Sequence, residues 1–124
     1  MKPLLAFAFI PFASAVSACP TLENAMIFQA ETENAPRVYY TMDAPPISAP
    51  FTILLEICGT APDAIEFDAM MPAHQHGMNY RPEVIDLGNG LHEVQNVVFH
   101  MPGLWKMQVS LNETLNYSAD VTVK

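Results

Sequence analysis

The sequence predicts an all-β fold, an immunoglobulin-like antiparallel β-sandwich of about seven strands. Three observations lead there. Apolar and polar residues alternate with a period near two in several segments, and no stretch carries a clean helical stripe. Turn signals recur roughly every eight to twelve residues. At 124 residues the chain is one domain at most, with no internal repeat, linker or low-complexity tract.

In order along the chain, residues 1–18 read as a signal peptide. Lys2 supplies the basic start, Leu4 to Phe12 the apolar core, and Val16-Ser17-Ala18 a small-residue cleavage site. The apolar run is too short, and too broken by Pro11, to span a bilayer as a helix. No later segment is long and apolar enough to be transmembrane after signal removal. Residues 19–36 form an N-terminal extended segment, with a short extended piece around Met26-Ile27-Phe28, and residues 37–124 form the sandwich domain.

Residues 37–42 read as the first long strand. Asp43 to Pro50 carries three prolines, which lack the ladder donor, so it cannot be regular. Residues 51–58 form a strongly apolar strand, and Gly59 to Asp63 turns. Residues 64–70 alternate apolar and acidic, the pattern of a half-buried strand whose Glu66 and Asp68 face solvent. A His/Met-rich loop ended by Arg81-Pro82 follows, and either Glu83 or Asp86 could pair with Arg81. Residues 83–87 and 91–99 are strands joined by Gly88-Asn89-Gly90, a turn needing positive φ. Residues 104–111 and 115–123 close the sheet pattern around the turn at Asn112-Glu113-Thr114.

The chain has 13 acidic and 5 basic residues, a net charge of −8, and loss of Lys2 makes it one unit more negative. Nothing basic remains to neutralise phosphates or dock to anionic lipid, so no nucleic acid partner is expected. The two cysteines are Cys19 and Cys58. Val16-Ser17-Ala18-Cys19 resembles a lipobox, in which Cys19 would carry a lipid anchor. Alternatively Cys19 pairs with Cys58, as an oxidising exterior permits. That bridge would stabilise the fold by roughly 4 kcal/mol in the chain-entropy model. Both readings use the same sulfur and exclude one another.

The densest chemistry lies in Met70-Met71-Pro72-Ala73-His74-Gln75-His76-Gly77-Met78-Asn79-Tyr80, and in Phe99-His100-Met101-Pro102-Gly103-Leu104-Trp105. His74, His76 and Met78 occupy every second position, so an extended backbone would aim them alike. Gly77 would let the chain turn tightly around a small ion. Imidazole with thioether is a copper ligand set, whereas magnesium and calcium ask for oxygen. If successive strands run antiparallel, strands 37–42, 64–70 and 91–99 end at one pole. Both clusters then meet there, with Met42 and Asp43 nearby and His100 as a third nitrogen. His92 and Cys58 fall at the opposite pole, and Cys19 precedes the first strand on that side.

Plainer explanations compete. A lone histidine most often hydrogen-bonds neighbouring backbone. Met70, Met71 and Met101 would commonly fill apolar gaps at strand ends. Trp105 reads as a core aromatic. No serine or thiol sits in a nucleophile motif, so no enzyme is expected.

The segments M-P-A-H-x-H-G-M-N-Y-R-P (Met71 to Pro82), L-G-x-G and F-H-M-P-G-x-W (Phe99 to Trp105) resemble the YtkA-like domain family of small exported bacterial proteins. The match covers the C-terminal two-thirds of the mature chain and extends to Cys58-Gly59. The resemblance implies an immunoglobulin-like sandwich and a periplasmic or otherwise exported location. It also implies likeness to small periplasmic copper-handling domains. Some relatives are associated with copper or with maturation of respiratory oxidases, so a copper-accepting or respiratory envelope protein is the implied partner. Carried over by position, the candidate ligands are His74, His76, Met78, His100 and Met101. The expected function is a non-enzymatic copper-binding chaperone or sequestration module; the competing one is a metal-free structural module of the cell envelope.

Overall fold

The computed structural model describes residues 2–11 and 18–124. The expected signal peptide falls in part on residues 1 and 12–17, which lie outside the described residues; residues 2–11 form neither helix nor strand. No helix among the described residues is long and apolar enough to cross a membrane.

Among the described residues, ten strands form two antiparallel sheets of five. Two short strands, β1 (Met26–Ile27) and β2 (Gln29–Ala30), precede β3 (Arg37–Thr41) and β4 (Phe51–Cys58). Then come β5 (Ile65–Met71), β6 (His76–Gly77), β7 (Glu83–Gly88), β8 (Leu91–Val97), β9 (Gly103–Leu111) and β10 (Leu115–Val123). One sheet runs β1-β3-β4-β8-β7, the other β2-β10-β9-β5-β6. The fold is thus the predicted β-sandwich. All seven long strands lie within two residues of their expected bounds, and the three short ones add to the edges.

Alternation explains why these segments pair as they do. In β9 every second residue, Trp105, Met107, Val109 and Leu111, is buried. In β5 the inward residues are Phe67, Ala69 and Met71, while Glu66 and Asp68 face solvent. Ile53, Leu55 and Ile57 of β4 close the core from the other sheet with Val38, Val94 and Phe99. Burying each such side chain contributes about 1.5–3 kcal/mol. The prolines between Asp43 and Pro50 keep that stretch irregular, apart from one bridge between Ile47 and Phe99.

The β7–β8 hairpin turns through Gly88, Asn89 and Gly90, all at positive φ. Glycine is required at 90: a Cβ there would sit 2.6 Å from the Ile57 carbonyl oxygen. Tyr117 donates its hydroxyl to the Pro36 carbonyl at 2.6 Å. Burial pushes the phenols of Tyr117 and Tyr40 above their ordinary pKa, and the Asp120 carboxylate adds to the rise at Tyr40.

Cys19 and Cys58 are joined in a disulfide, with Cα atoms 6.0 Å apart. It takes up the sulfur a lipid anchor would use, so the lipobox reading of Cys19 gives way to the disulfide. Beside it, Glu56 is the one charged residue of the apolar strand β4 and is only 2% exposed. Its carboxylate accepts hydrogen bonds from Thr21 N (2.6 Å), Thr21 Oγ1 (2.8 Å) and Leu22 N (3.1 Å). Disulfide and carboxylate together fasten the N-terminal segment to β4. From there β1 pairs with β3 and β2 with β10, so one short segment edges both sheets.

Candidate metal centre

The His/Met segment is a hairpin rather than the open loop expected. β5 runs on through Met71, and Pro72 ends it by removing a ladder donor. The chain turns over residues 72–75, where His74 N donates to the Met71 carbonyl at 3.2 Å and Gln75 takes φ 52°. β6 then pairs back on β5, setting His76 opposite Met71 and Gly77 opposite Met70. The tight turning is done at Gln75. Gly77 is not at positive φ, and the nearest atom to a Cβ added there is 4.0 Å away, so the expected special role for that glycine is not found.

Hairpin geometry brings the exposed imidazoles of His74 and His76 alongside each other, with ring centroids 6.2 Å apart and planes inclined by 30°. The second cluster arrives from the other sheet. After β8 ends, Phe99 bridges to Ile47, and Ser48 braces the next residues. Its amide donates to the Phe99 carbonyl at 2.8 Å and its hydroxyl to the His100 carbonyl at 3.3 Å. The His100 ring then lies 6.4 Å from that of His76, nearly perpendicular to it. It also sits edge-on to Trp105 at 5.3 Å.

Trp105 is fully buried, as expected. Its indole Nε1 donates to the Met101 carbonyl at 3.0 Å, which fixes the turn carrying His100 and Met101. Gly103 stands at φ 129°, and a Cβ there would come within 2.9 Å of the Met71 methyl. The base of the two clusters is therefore closely packed. Met78 and Met101 are half-buried against the core.

His100 is half-buried, yet its Nδ1 is enclosed and has no hydrogen-bond partner. Either tautomer leaves a polar function unmet there, which costs about 1–3 kcal/mol relative to a satisfied nitrogen. The ring would have to turn outward for that nitrogen to meet an ion. The imidazoles and thioethers of the two clusters are donors of the type that suits copper and not a hard cation.

The two clusters thus meet at one pole, but the imidazoles form a row, His74 to His76 to His100. Among the described residues no three His, Cys, Asp or Glu side chains gather about one point. Proximity is pairwise, and His76 belongs to both pairs.

Met42 and Asp43 line a groove with Glu23, Asn24, Thr52 and Glu93, and Met42 also packs against the core. Arg81 shares a groove with Glu66 and Asp68 and makes no ion pair with Glu83 or Asp86. His92 lies at the far pole, 7% exposed, with Nδ1 3.3 Å from the Gly90 carbonyl and Nε2 3.8 Å from Asp86. It is a histidine occupied by its own neighbourhood.

Three residues were not legible as contributors. Glu56 had a signal, a lone charge in an apolar strand. Met71, opposite His76 and 1% exposed, looked like one more strand-end methionine. Ser48 had none, since its contact with His100 spans 52 positions. No family model, curated protein or solved structure matches the chain.

Proposed function

We propose that the protein is an exported, non-enzymatic copper-binding module, acting as a chaperone or sequestering domain, with its ligands among His74, His76, Met78, His100 and Met101. The unpartnered, enclosed Nδ1 of His100, beside His76, carries the reading. With the His100 ring turned outward, copper would supply the partner that nitrogen lacks, and the half-buried thioethers of Met78 and Met101 would add soft donors. The exposed rings of His74 and His76 suit transfer, because a receiving protein's ligands can approach them. The four-plus-three division of the long strands between the sheets supports the immunoglobulin-like form that the resemblance to YtkA-like domains implies. The leader-like residues 1–18 and the disulfide support an exported location.

Titration of the mature protein with copper, with and without reductant, tests the reading. One ion should bind per chain, and His74→Ala/His76→Ala should abolish binding. Copper at a hundred times its dissociation constant should stabilise the native state by about 2.7 kcal/mol. The competing reading is a metal-free envelope module, favoured because among the described residues no three His, Cys, Asp or Glu side chains come together and because Ser48 braces His100. An unshifted thermal melt and no copper bound by the wild-type protein would establish that reading instead, and a double variant that binds as well as wild type would remove His74 and His76 from the ligand set.

A further inference from the structure

We infer that the edge formed by β1 and β2 is a peptide-docking groove, one that takes an extended apolar segment ending in a free C-terminal carboxylate. The inference is independent of copper. Backbone direction comes first. In an antiparallel ladder, residues that bond to the neighbouring strand alternate with residues whose N–H and C=O point away from it. Phe28 N donates to the Val38 carbonyl at 2.8 Å, so Phe28 and Met26 face β3 and the backbone groups of Ile27 point outward. Glu31 N donates to the Asn116 carbonyl at 2.9 Å, so Gln29 faces β10 and the groups of Ala30 point outward. At this side each sheet therefore ends in one residue that presents a donor and an acceptor to another backbone.

Such an edge is a template for a further strand, and proteins commonly blunt it with charge, proline or a bulge. The opposite edges are blunted. β7 carries Glu83, Asp86 and a bulge before Gly88. β5 is partly covered by β6, and its Ala69 amide is taken up by Asp68 Oδ1 at 2.8 Å. Residues 25–30, Ala-Met-Ile-Phe-Gln-Ala, hold neither charge nor proline, and Ile27 is 55% exposed.

Beside this edge lies an apolar groove of about 480 Å³, within the size range of ligand sites. Ile27, Ala30 and Pro36 wall it with Phe28 and Tyr117, and Arg37 is its one charged lining residue. Grooves elsewhere hold carboxylates: Glu23, Asp43 and Glu93 in one, Glu66 and Asp68 in two more, Asp86 in a fourth. On a chain of net charge −8, an anionic group is repelled from those and drawn to this one. The Arg37 head group is already held. Its Nη1 donates to the Tyr39 hydroxyl at 3.1 Å, and Cζ lies 5.8 Å from the centroid of that ring. Among the described residues it pairs with no carboxylate, so donors of its fork remain for a ligand. A single cation with Glu31 and Glu33 close by in sequence suits one carboxylate and not an acidic run. A C-terminus supplies one carboxylate at the end of an extended backbone, and a guanidinium can take both its oxygens. Main-chain bonds at Ile27 and Ala30 give affinity, and the apolar walls select side chains.

The test is fluorescence anisotropy with a rhodamine-labelled peptide, Gly-Ser-Val-Ile-Val with a free C-terminus, set beside the same peptide as its C-terminal amide. The acid should bind roughly 10-fold or more tightly than the amide, the size of one hydrogen bond to a charged group. Arg37→Gln should bring the acid down to the level of the amide and leave the amide unchanged. Arg37→Lys keeps the charge without the fork and should fall between the two. Ala30→Pro removes an outward N–H and no ladder bond, so it should weaken acid and amide alike while the thermal melt stays put. Equal binding of acid and amide, or a preference for the acid that survives Arg37→Gln, overturns the carboxylate site. Displacement of the peptide by decanoate, with Ala30→Pro binding as well as wild type, marks a groove for amphiphiles and overturns the peptide. Failure of both peptides to bind overturns the inference outright.

Discussion

The two poles of the sandwich treat their polar groups in opposite ways. At the pole where β4 ends, the cysteines are bonded to each other and Glu56 accepts three hydrogen bonds. Asn112 Oδ1 accepts from the amides of Asp63 (2.8 Å) and Ala64 (3.1 Å), and even His92 lies against a carbonyl and a carboxylate. At the pole where β5 and β8 end, two imidazoles are open to solvent and a third keeps an enclosed nitrogen without a partner. One end spends its polar chemistry on folding. The other also braces its turns, through Ser48 and Trp105, but leaves its imidazoles without partners, and groups left free in this way are available to a ligand.

The sharpest way to break that contrast is to open the bonded pole. Replacing Cys19 and Cys58 with Ser should lower the unfolding free energy by about 4 kcal/mol, read from denaturant titration. The affinity for copper of the protein that remains folded should be unchanged, because distant sites with no shared partners act additively. A parallel loss of copper affinity would mean the poles are coupled, and the division of labour would fail.

A smaller effect is expected at Glu56. Glu56→Ala strands two backbone amides and a hydroxyl and should cost about 3 kcal/mol. Glu56→Gln retains one carbonyl oxygen for the two amides, so it should cost about 1 kcal/mol. Hydrogen exchange at Thr21 and Leu22 reports the same contrast locally. Equal costs for the two variants would show that the site needs the charge and not the acceptor.

How much of this was legible in the sequence follows from the range of the interactions. Strands β3 to β5 and β7 to β10 declared themselves through alternation and turn residues, which are local. The meeting of His76 with His100 was legible because antiparallel succession alone sends the ends of β5 and β8 to one pole. The hairpin at Met71–Gly77 was not, because β6 has only two residues and shows no period. Nor was the route of residues 43–50 legible: its prolines break any period, yet the stretch brings Ile47 to Phe99 and Ser48 to His100, contacts that no local pattern encodes.

The subtlest prediction probes the open pole without any metal. His100→Phe keeps an aromatic ring beside Trp105 and removes the nitrogen that has no partner. If that nitrogen serves only a ligand, its removal should raise apo stability by about 1 kcal/mol, since an enclosed polar atom without a hydrogen bond is a net cost to folding. The same change should abolish the gain in stability that copper brings. Stability and binding then move in opposite directions at a single residue, as expected of a site kept for function. At the bonded pole the sign reverses: His92→Phe discards the contacts to Gly90 and Asp86 and should destabilise. Paired thermal melts of the two variants decide the matter. If His100→Phe destabilises as much as His92→Phe, then His100 belongs to the folding chemistry after all, and the open pole has no claim to be different.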